Sequence, residues 1–373
     1  MMKKFISLIL AAVFALLLVS CAVTTDPTDT EYYSDISTDG NATQTSAEVV
    51  TTEPSAATVT SVEETTETTE YVCEHDFEYT VVTPAGMLTD GERISTCKKC
   101  GELFTEAIPA TRTIKILAFG NSFSNDAFIN LPYVLRDLGF ETVVLGNLYI
   151  GSCSVDMHWD NIKSKDKAYT FYETNIKGVR VGHPMSAQEA LAKYDWDFIT
   201  IQQKGNHCGD ATTFSNLSNV VNYIYKNKTN PDAKIYWHMT WSYRKGVNPE
   251  RYNSDQMQMY NAIAQVTKGT VMKTPHIDGL IPCGTAIQNV RSSYVGDNLN
   301  DPDDGYHLGA GYGYYTAALT WACALLGVSP ESVSWYPAGL SYMKDAAPVI
   351  KASVADALAT PYSVTKSKYM VKS

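Results

Sequence analysis

The sequence predicts an α/β fold: a three-layer α/β/α sandwich around a central parallel sheet, with a small β module before it. Three observations carry this. From residue 112 onward, apolar runs of strand length alternate with amphipathic helical stretches, the order that puts helices on both faces of a parallel sheet. The strand runs are apolar without strict alternation, as strands covered on two sides are. A chain of 373 residues with 45% hydrophobic composition suffices for one sizeable core plus smaller attachments.

"TIKILAFG" (113–120) reads as the first buried strand, and "DAFINLPYVLRDLG" (126–139) as the helix after it, closed by a glycine. "ETVVLGNLY" (141–149) is the next strand. "SAQEALAKYD" (186–195) and "DFITIQQ" (197–203) form a helix–strand pair. "TTFSNLSNVVNYIYKNK" (212–228) with "AKIYWHMTW" (233–241) repeats it, as does "SDQMQMYNAIAQVTKGT" (254–270) with "HIDGLIPCG" (276–284). Residues 285–295, 311–327 and 343–359 are helical. The apolar stretch 311–327 reads as a buried helix rather than a membrane span, because glycines and tyrosines fill its first turns.

The chain before residue 112 is different material. "MMKKFISLILAAVFALLLVSC" has two lysines, an apolar run and small residues before Cys21, the make-up of an export signal. Its ending "LLVSC" resembles a bacterial lipobox, which implies cleavage before Cys21, lipidation of that thiol, and a membrane anchor outside the cytoplasm. An ordinary signal peptide cut nearby is the plainer alternative. Residues 21–70 are rich in Thr, Ser and Glu, lack apolar periodicity and read as a disordered stalk. Net charge is −11 with no basic stripe, which argues against nucleic acid as a partner.

Residues 71–111 carry Cys73 and His75, then Cys97 and Cys100, a C-x-H … C-x-x-C arrangement with Gly101 after the second pair. Two chelating pairs at the ends of a hairpin ("DFEYTVVTPA" and "GERISTC") suit a structural zinc site. The module resembles short zinc-ribbon-like repeats of bacterial surface proteins, many ending in "IPAT" as at 108–111. A Cys97–Cys100 disulfide is the competing reading. In both the module is structural, since four protein ligands leave no open catalytic position.

In parallel α/β sheets the active site lies beyond the carboxyl ends of the strands. Ser122 follows the first strand, Gly151 the second, and "QQKGNH" (202–207) the third, while "DPDDGYHLG" (301–309) lies near the end of the chain. A serine hydroxyl becomes a nucleophile when a histidine takes its proton and an acid orients that histidine. His307 and Asp304 are three residues apart around Gly305, close enough for one turn to present both; Asp303 competes with Asp304. The Ser122 N–H, the Gly151 N–H and the Asn206 amide are candidate oxyanion donors, with Gln203 or Gln202 as alternatives to Asn206. Against this, "SND" before a helical run is also an ordinary N-cap. The histidines at 158, 183, 207, 238 and 276 read as loop or core residues. The aromatics of "WHMTWSY" (237–243) either line the mouth of the site or pack beneath it. Cys153 and Cys208 both fall in loops of the active face, where a disulfide could join them.

The blocks "FGNSFS" (119–124), "GNLYIGSCS" (146–154), "KGNH" (204–207) and "DDGYHLG" (303–309) together resemble, in order and spacing, the SGNH or GDSL-type hydrolases. The wording is closest to a subfamily known mainly as a domain of unknown function. The resemblance spans about residues 112–327. It implies a flavodoxin-like α/β/α fold and serine ester hydrolysis without a catalytic cofactor. It implies Ser122 as nucleophile, His307 as base, Asp304 as its orienter, and Ser122, Gly151 and Asn206 as the oxyanion hole. Two blocks depart from the pattern: Asn121 stands where Gly-Asp-Ser is usual, and "QQKGNH" is not a clean Gly-x-Asn-Asp.

The expectation is an exported, lipid-anchored serine esterase acting on carboxylic esters, acetyl esters of carbohydrates foremost, with a structural zinc in the module. The alternative is an SGNH-fold surface protein that binds glycan or cell wall without turnover, motivated by the two departures. A lipase for long acyl chains is a third, weaker reading.

Overall fold

A computed structural model describes residues 72–371. The export signal, Cys21 and the stalk expected over 21–70 lie outside the described residues. The described chain lies in one compact unit, and none of its helices is long and apolar enough to cross a membrane.

Three antiparallel strands come first: β1 (Phe77–Thr83), β2 (Gly91–Cys97) and β3 (Leu103–Ile108), in the order β1-β2-β3. The predicted hairpin is thus extended by a third strand that was not expected. Its sequence, LFTEAI, is almost wholly exposed and carries no burial pattern to read. Thr111 N–H and Arg112 N–H donate to the carbonyls of Gly86 and Met87, which ties this sheet to the start of the larger domain.

The seven-stranded sheet contains β4 (Thr113–Gly120), β5 (Thr142–Tyr149), β6 (Tyr169–Asn175), β7 (Arg180–Met185), β8 (Phe198–Ile201), β9 (Lys234–His238) and β10 (Gly279–Ile281). Its order is β10-β9-β8-β4-β5-β6-β7. The strands from β10 to β5 are parallel, as expected. β6 and β7 are antiparallel additions at one edge of the expected central parallel sheet. The missed signal was the alternation of β6: Tyr169 and Phe171 point into the core while Thr170 faces out, and Gly178 turns the chain at φ +76°.

The helices are α1 (Ser122–Asp137), α2 (Val155–Ser164), α3 (Ala187–Lys193), α4 (Leu217–Asn227), α5 (Gln256–Gly269), α6 (Cys283–Arg291), α7 (Tyr312–Leu326) and α8 (Met343–Ala359). Two cores form, one on each face of the sheet. Ile114, Ile116 and Ala118 of β4 meet α1, α6, α7 and α8. Leu117 and Phe119 meet α2 to α5. This is the three-layer sandwich that the apolar strand runs predicted, since β4 is buried on both faces. The stretch 311–327 is a core helix, with Tyr315 and Trp321 fully buried. Helix α2 was not anticipated: its sequence VDMHWDNIKS is polar and short, and its start is set by Ser154, whose hydroxyl caps Met157 N–H.

The chain enters the sheet at β4, adds β5 on one side and then β8 on the other. In open α/β sheets such a reversal, here at the carboxyl ends of β4 and β8, is where sites are placed.

Candidate active site

β4 ends at Gly120, where an added Cβ would collide with Ser124 Oγ and Asn147 Oδ1. Asn121 then caps α1 through Oδ1, which accepts from Phe123 N–H at 3.0 Å. Ser122 is the first residue of the helix, and its N–H has no intrahelical acceptor by position.

The Asp304 to His307 turn arrives from the other end of the chain. Gly305, at φ +70°, lets it close tightly. Asp304 Oδ1 accepts from the N–H groups of Tyr306 (2.9 Å) and His307 (3.0 Å). Its Oδ2 lies 2.6 Å from His307 Nδ1. A carboxylate there accepts a hydrogen bond from Nδ1–H and so holds the proton on Nδ1, which leaves Nε2 as an acceptor. Nε2 lies 2.7 Å from Ser122 Oγ. Ser122, His307 and Asp304 thus form one continuous relay. Asp303 is not part of it: it is exposed, and its N–H donates to Asp301 Oδ1.

The turn is braced on all sides. Asp301 N–H and Asn300 Nδ2 donate to the His307 carbonyl, and Trp241 Nε1 donates to the Tyr306 carbonyl at 2.8 Å. Arg291, buried and 2.8 Å from Asp297, holds Asn300 Oδ1 at 2.6 Å. One anchor was not visible in the sequence. Asp126, one helical turn after Ser122, accepts from Leu308 N–H at 2.9 Å. Burial pushes its carboxyl up to about 7, against the opposing pull of His307 and the Leu308 N–H.

Gly151 sits in an exposed turn. Asn206 lies on the short turn Gly205–His207. That turn lies close to Phe123, since an added Cβ on Gly205 would collide with the Phe123 ring and the Tyr243 hydroxyl. Asn206 Oδ1 is buried without a partner, and its backbone carbonyl accepts from Tyr252 Oη at 3.0 Å. Its side-chain amide is uncommitted among the described residues. The alternatives are both committed, which corrects them. Gln203 Oε1 accepts from the N–H groups of Val155 and Lys204, and its Nε2 donates to Thr213. Gln202 Oε1 accepts from Ser124 Oγ (2.6 Å) and His238 Nδ1 (2.9 Å), and its Nε2 donates to Asn121 Oδ1.

Asn121 has a local explanation. Its Oδ1 serves the helix cap and Gln202, while its Nδ2 donates to the Cys153 carbonyl at 3.2 Å. An aspartate could do the first and not the second.

The aromatics of 237–243 divide. Trp241 is buried and stacks on Phe123 at 4.5 Å, so it packs beneath the site. Tyr243 is half-buried against Tyr306 (5.8 Å), and Tyr306, 40% exposed, lies 4.4 Å from the His307 ring. These two tyrosines form a rim beside His307. Cys153 and Cys208 are separate free thiols. Cys208 Sγ packs on Thr240 Oγ1 at 3.0 Å, which leaves the disulfide reading without support. His158 and His238 are core residues whose burial pushes both down to about 3.

In the small sheet, the donor atoms of Cys73, His75, Cys97 and Cys100 all lie within 4.8 Å of one another. Cys73 Sγ to Cys97 Sγ is 3.8 Å, and Cys100 Sγ to His75 Nδ1 is 3.5 Å. With metal–sulfur and metal–nitrogen bonds of about 2.3 and 2.0 Å, a tetrahedron has edges of about 3.8 and about 3.5 Å. The donor set fits one four-coordinate metal ion. Lys99 N–H points at Cys97 Sγ (3.4 Å), and Glu102 lies 3.4 Å from His75 Nε2, the contacts that orient metal ligands from behind.

Residues 115–357 match the family DUF4886, described as a domain of unknown function. The chain is 34% identical to a DUF4886 protein from Bacteroides uniformis of known crystal structure; the match covers 68% of this chain and 98% of that one, with a TM-score of 0.63. More distant structures include a lipase/acylhydrolase from Enterococcus faecalis (15% identity, TM-score 0.38, covering 56% of this chain and 95% of that one). Another is a Clostridium thermocellum family 3 carbohydrate esterase (14% identity, TM-score 0.36, covering 58% and 96%). No curated protein sequence matches the chain.

Proposed function

The chain belongs to the DUF4886 family, and on that premise we propose that it is a serine ester hydrolase whose chemistry runs through Ser122, His307 and Asp304. The observation that carries the proposal is the unbroken relay of 2.7 Å from Ser122 Oγ to His307 Nε2 and 2.6 Å from His307 Nδ1 to Asp304 Oδ2. A helix cap alone accounts for neither contact.

Ser122 Oγ attacks the acyl carbon as its proton moves to His307 Nε2, and Asp304 stabilises the imidazolium and keeps the ring in place. The Ser122 N–H, the Gly151 N–H and the Asn206 amide receive the oxyanion. His307 then protonates the leaving alkoxide, and water releases the acyl group by the reverse roles. The substrate favoured is a small acyl ester, acetyl foremost, on a carbohydrate. The Tyr243 and Tyr306 rim supports this, because aromatic faces beside a partly open site suit a sugar ring. The N-terminal signal and Cys21 support an exported, lipid-anchored protein that meets such esters at the cell surface. Cys73, His75, Cys97 and Cys100 would hold zinc, which would cross-link the small sheet and stay outside the ester chemistry. The binder without turnover loses one of its motives, since Asn121 has a structural use of its own.

The test is hydrolysis of a chromogenic acetyl ester by the wild-type protein and Ser122→Ala, with fluorophosphonate labelling in parallel. Turnover and labelling that both vanish in the variant support the reading. A folded wild type that neither hydrolyses nor labels refutes it.

A further inference from the structure

We propose that Asp126 is a second carboxylate serving His307, a positioning residue that clamps the backbone beside the base to the helix that carries the nucleophile. The proposal rests on the Ser122–His307–Asp304 reading and adds a residue to it.

Asp126 is four residues after Ser122 on α1, so both project from the same face of the helix. Two hydrogen bonds cross from that face to the loop near the chain's end. Ser122 Oγ meets His307 Nε2 at 2.7 Å, and Asp126 Oδ2 accepts from Leu308 N–H at 2.9 Å. The residues involved are consecutive on one side and one helical turn apart on the other. The separation of nucleophile and base is therefore set at two points rather than one. The other braces of the turn come from Trp241, Asn300 and Asp301, so Asp126 supplies the hydrogen bond that ties the backbone beside His307 directly to α1.

A backbone N–H can be held by any oxygen, so the clamp alone does not require a charge. Asp126 is buried, yet no lysine or arginine pairs with it among the described residues. A buried acid without a counter-ion is costly to keep. The charged groups that face it are His307, of opposite sign once protonated, and Asp304 and Asp301, of like sign. The positive charge available to it is the imidazolium that forms when Ser122 gives up its proton. Asp304 reaches that charge by direct contact at Nδ1; Asp126 reaches it through space and through the Leu308 peptide. The rise of its own carboxyl to about 7 accords with burial beside two other acids.

The variants Asp126→Asn and Asp126→Ala separate clamp from charge. Asn keeps an oxygen for Leu308 N–H, and Ala keeps neither. The readouts are the His307 titration followed by imidazole NMR, assigned by the signal lost in His307→Gln, and the pH profile of kcat/KM on an acetyl ester. Asp126 carries its charge only as pH rises past about 7, so the upper part of the His307 titration and of the kcat/KM profile should shift to lower pH in Asp126→Asn, while the two proteins agree below about pH 6. Asp126→Ala should lose a further tenfold or so in kcat through misplacement of the base. A His307 titration that is unmoved in Asp126→Asn overturns the proposal, whatever happens to thermal stability. If Asp126→Ala fails to fold, Asp126→Asn alone decides. If the wild type has no ester turnover, the esterase reading fails, and the His307 titration still decides the role of Asp126.

Discussion

Asn121 Nδ2 donates to the carbonyl of Cys153 at 3.2 Å, and this bond ties the cap of the helix that begins at Ser122 to the loop that carries Gly151. Pairing of β4 with β5 up to Gly120 and Tyr149 brings the two loops side by side, and residue 121 joins them because it can donate and accept at once. Asn147 adds to the tie by donating to the Asn121 carbonyl at 3.1 Å.

Asn121→Asp should therefore be destabilising even though it preserves the helix cap. The carboxylate would face the Cys153 carbonyl, and a buried acceptor would lose its donor, at a cost on the order of 2 kcal/mol. Urea unfolding of the variant against wild type measures it. A stability equal to wild type would mean that the Cys153 carbonyl finds another donor at no cost.

Ser122→Ala and His307→Ala should each cut kcat on an acetyl ester by about 10⁴-fold or more, and the double variant should lose little beyond either single one. Such non-additivity is the signature of residues acting as a unit. It separates catalysis from a capping role, which would show in stability instead. Stopped assays of the three variants read it directly. Losses that simply multiply would speak against a shared relay.

How much of this was legible in the sequence depends on the range over which each feature acts. The strands β4, β5, β8 and β9 could be read because two-sided burial leaves continuous apolar runs. Ser122, Asp304 and His307 drew attention by following strands or by tight spacing, and the structure brings the three together. The Cys73/His75 and Cys97/Cys100 pairs were readable for the same local reason. Asp126 was not, because a polar residue in the second turn of a helix looks solvated until a loop 182 residues away covers it. The choice between Asn206 and the glutamines was equally hidden. All three carry amides, and only the tertiary partners of Gln202 and Gln203, from Ser124 and Val155 to the nearby Thr213, remove them.

Asp126 also makes a pH prediction for stability. Its carboxyl is raised to about 7 in the folded chain, whereas an unfolded aspartate titrates near about 4. Between those values the folded protein keeps a proton that the unfolded chain has released. The contribution of Asp126 to stability is thus full below about pH 4 and lost as pH rises to about 7. Its ceiling is roughly 4 kcal/mol by linkage. Asp126→Asn cannot titrate, so its stability relative to wild type should climb across that window and level off above it. Urea midpoints at steps from pH 4.5 to 8 would follow the difference. A difference that does not vary with pH would mean that Asp126 titrates alike in both states.

The Cys/His cluster gives a prediction that leaves the ester chemistry alone. Three thiolates and one imidazole at tetrahedral spacing should bind about one zinc per chain, and Cys100→Ser should release most of it. Cobalt in place of zinc should give the intense thiolate absorption of a tetrahedral site, weakened in the same variant. The small sheet has little core of its own, since β1 and β3 are exposed along nearly their whole length. Chelation should therefore raise amide exchange across Phe77–Thr83 and Leu103–Ile108. Acetyl-ester turnover should persist, because Ser122, His307 and Asp304 are held by contacts from the seven-stranded body rather than by this sheet. Turnover lost in step with zinc would overturn that separation, and exchange unchanged by chelation would mean that the sheet holds without its metal.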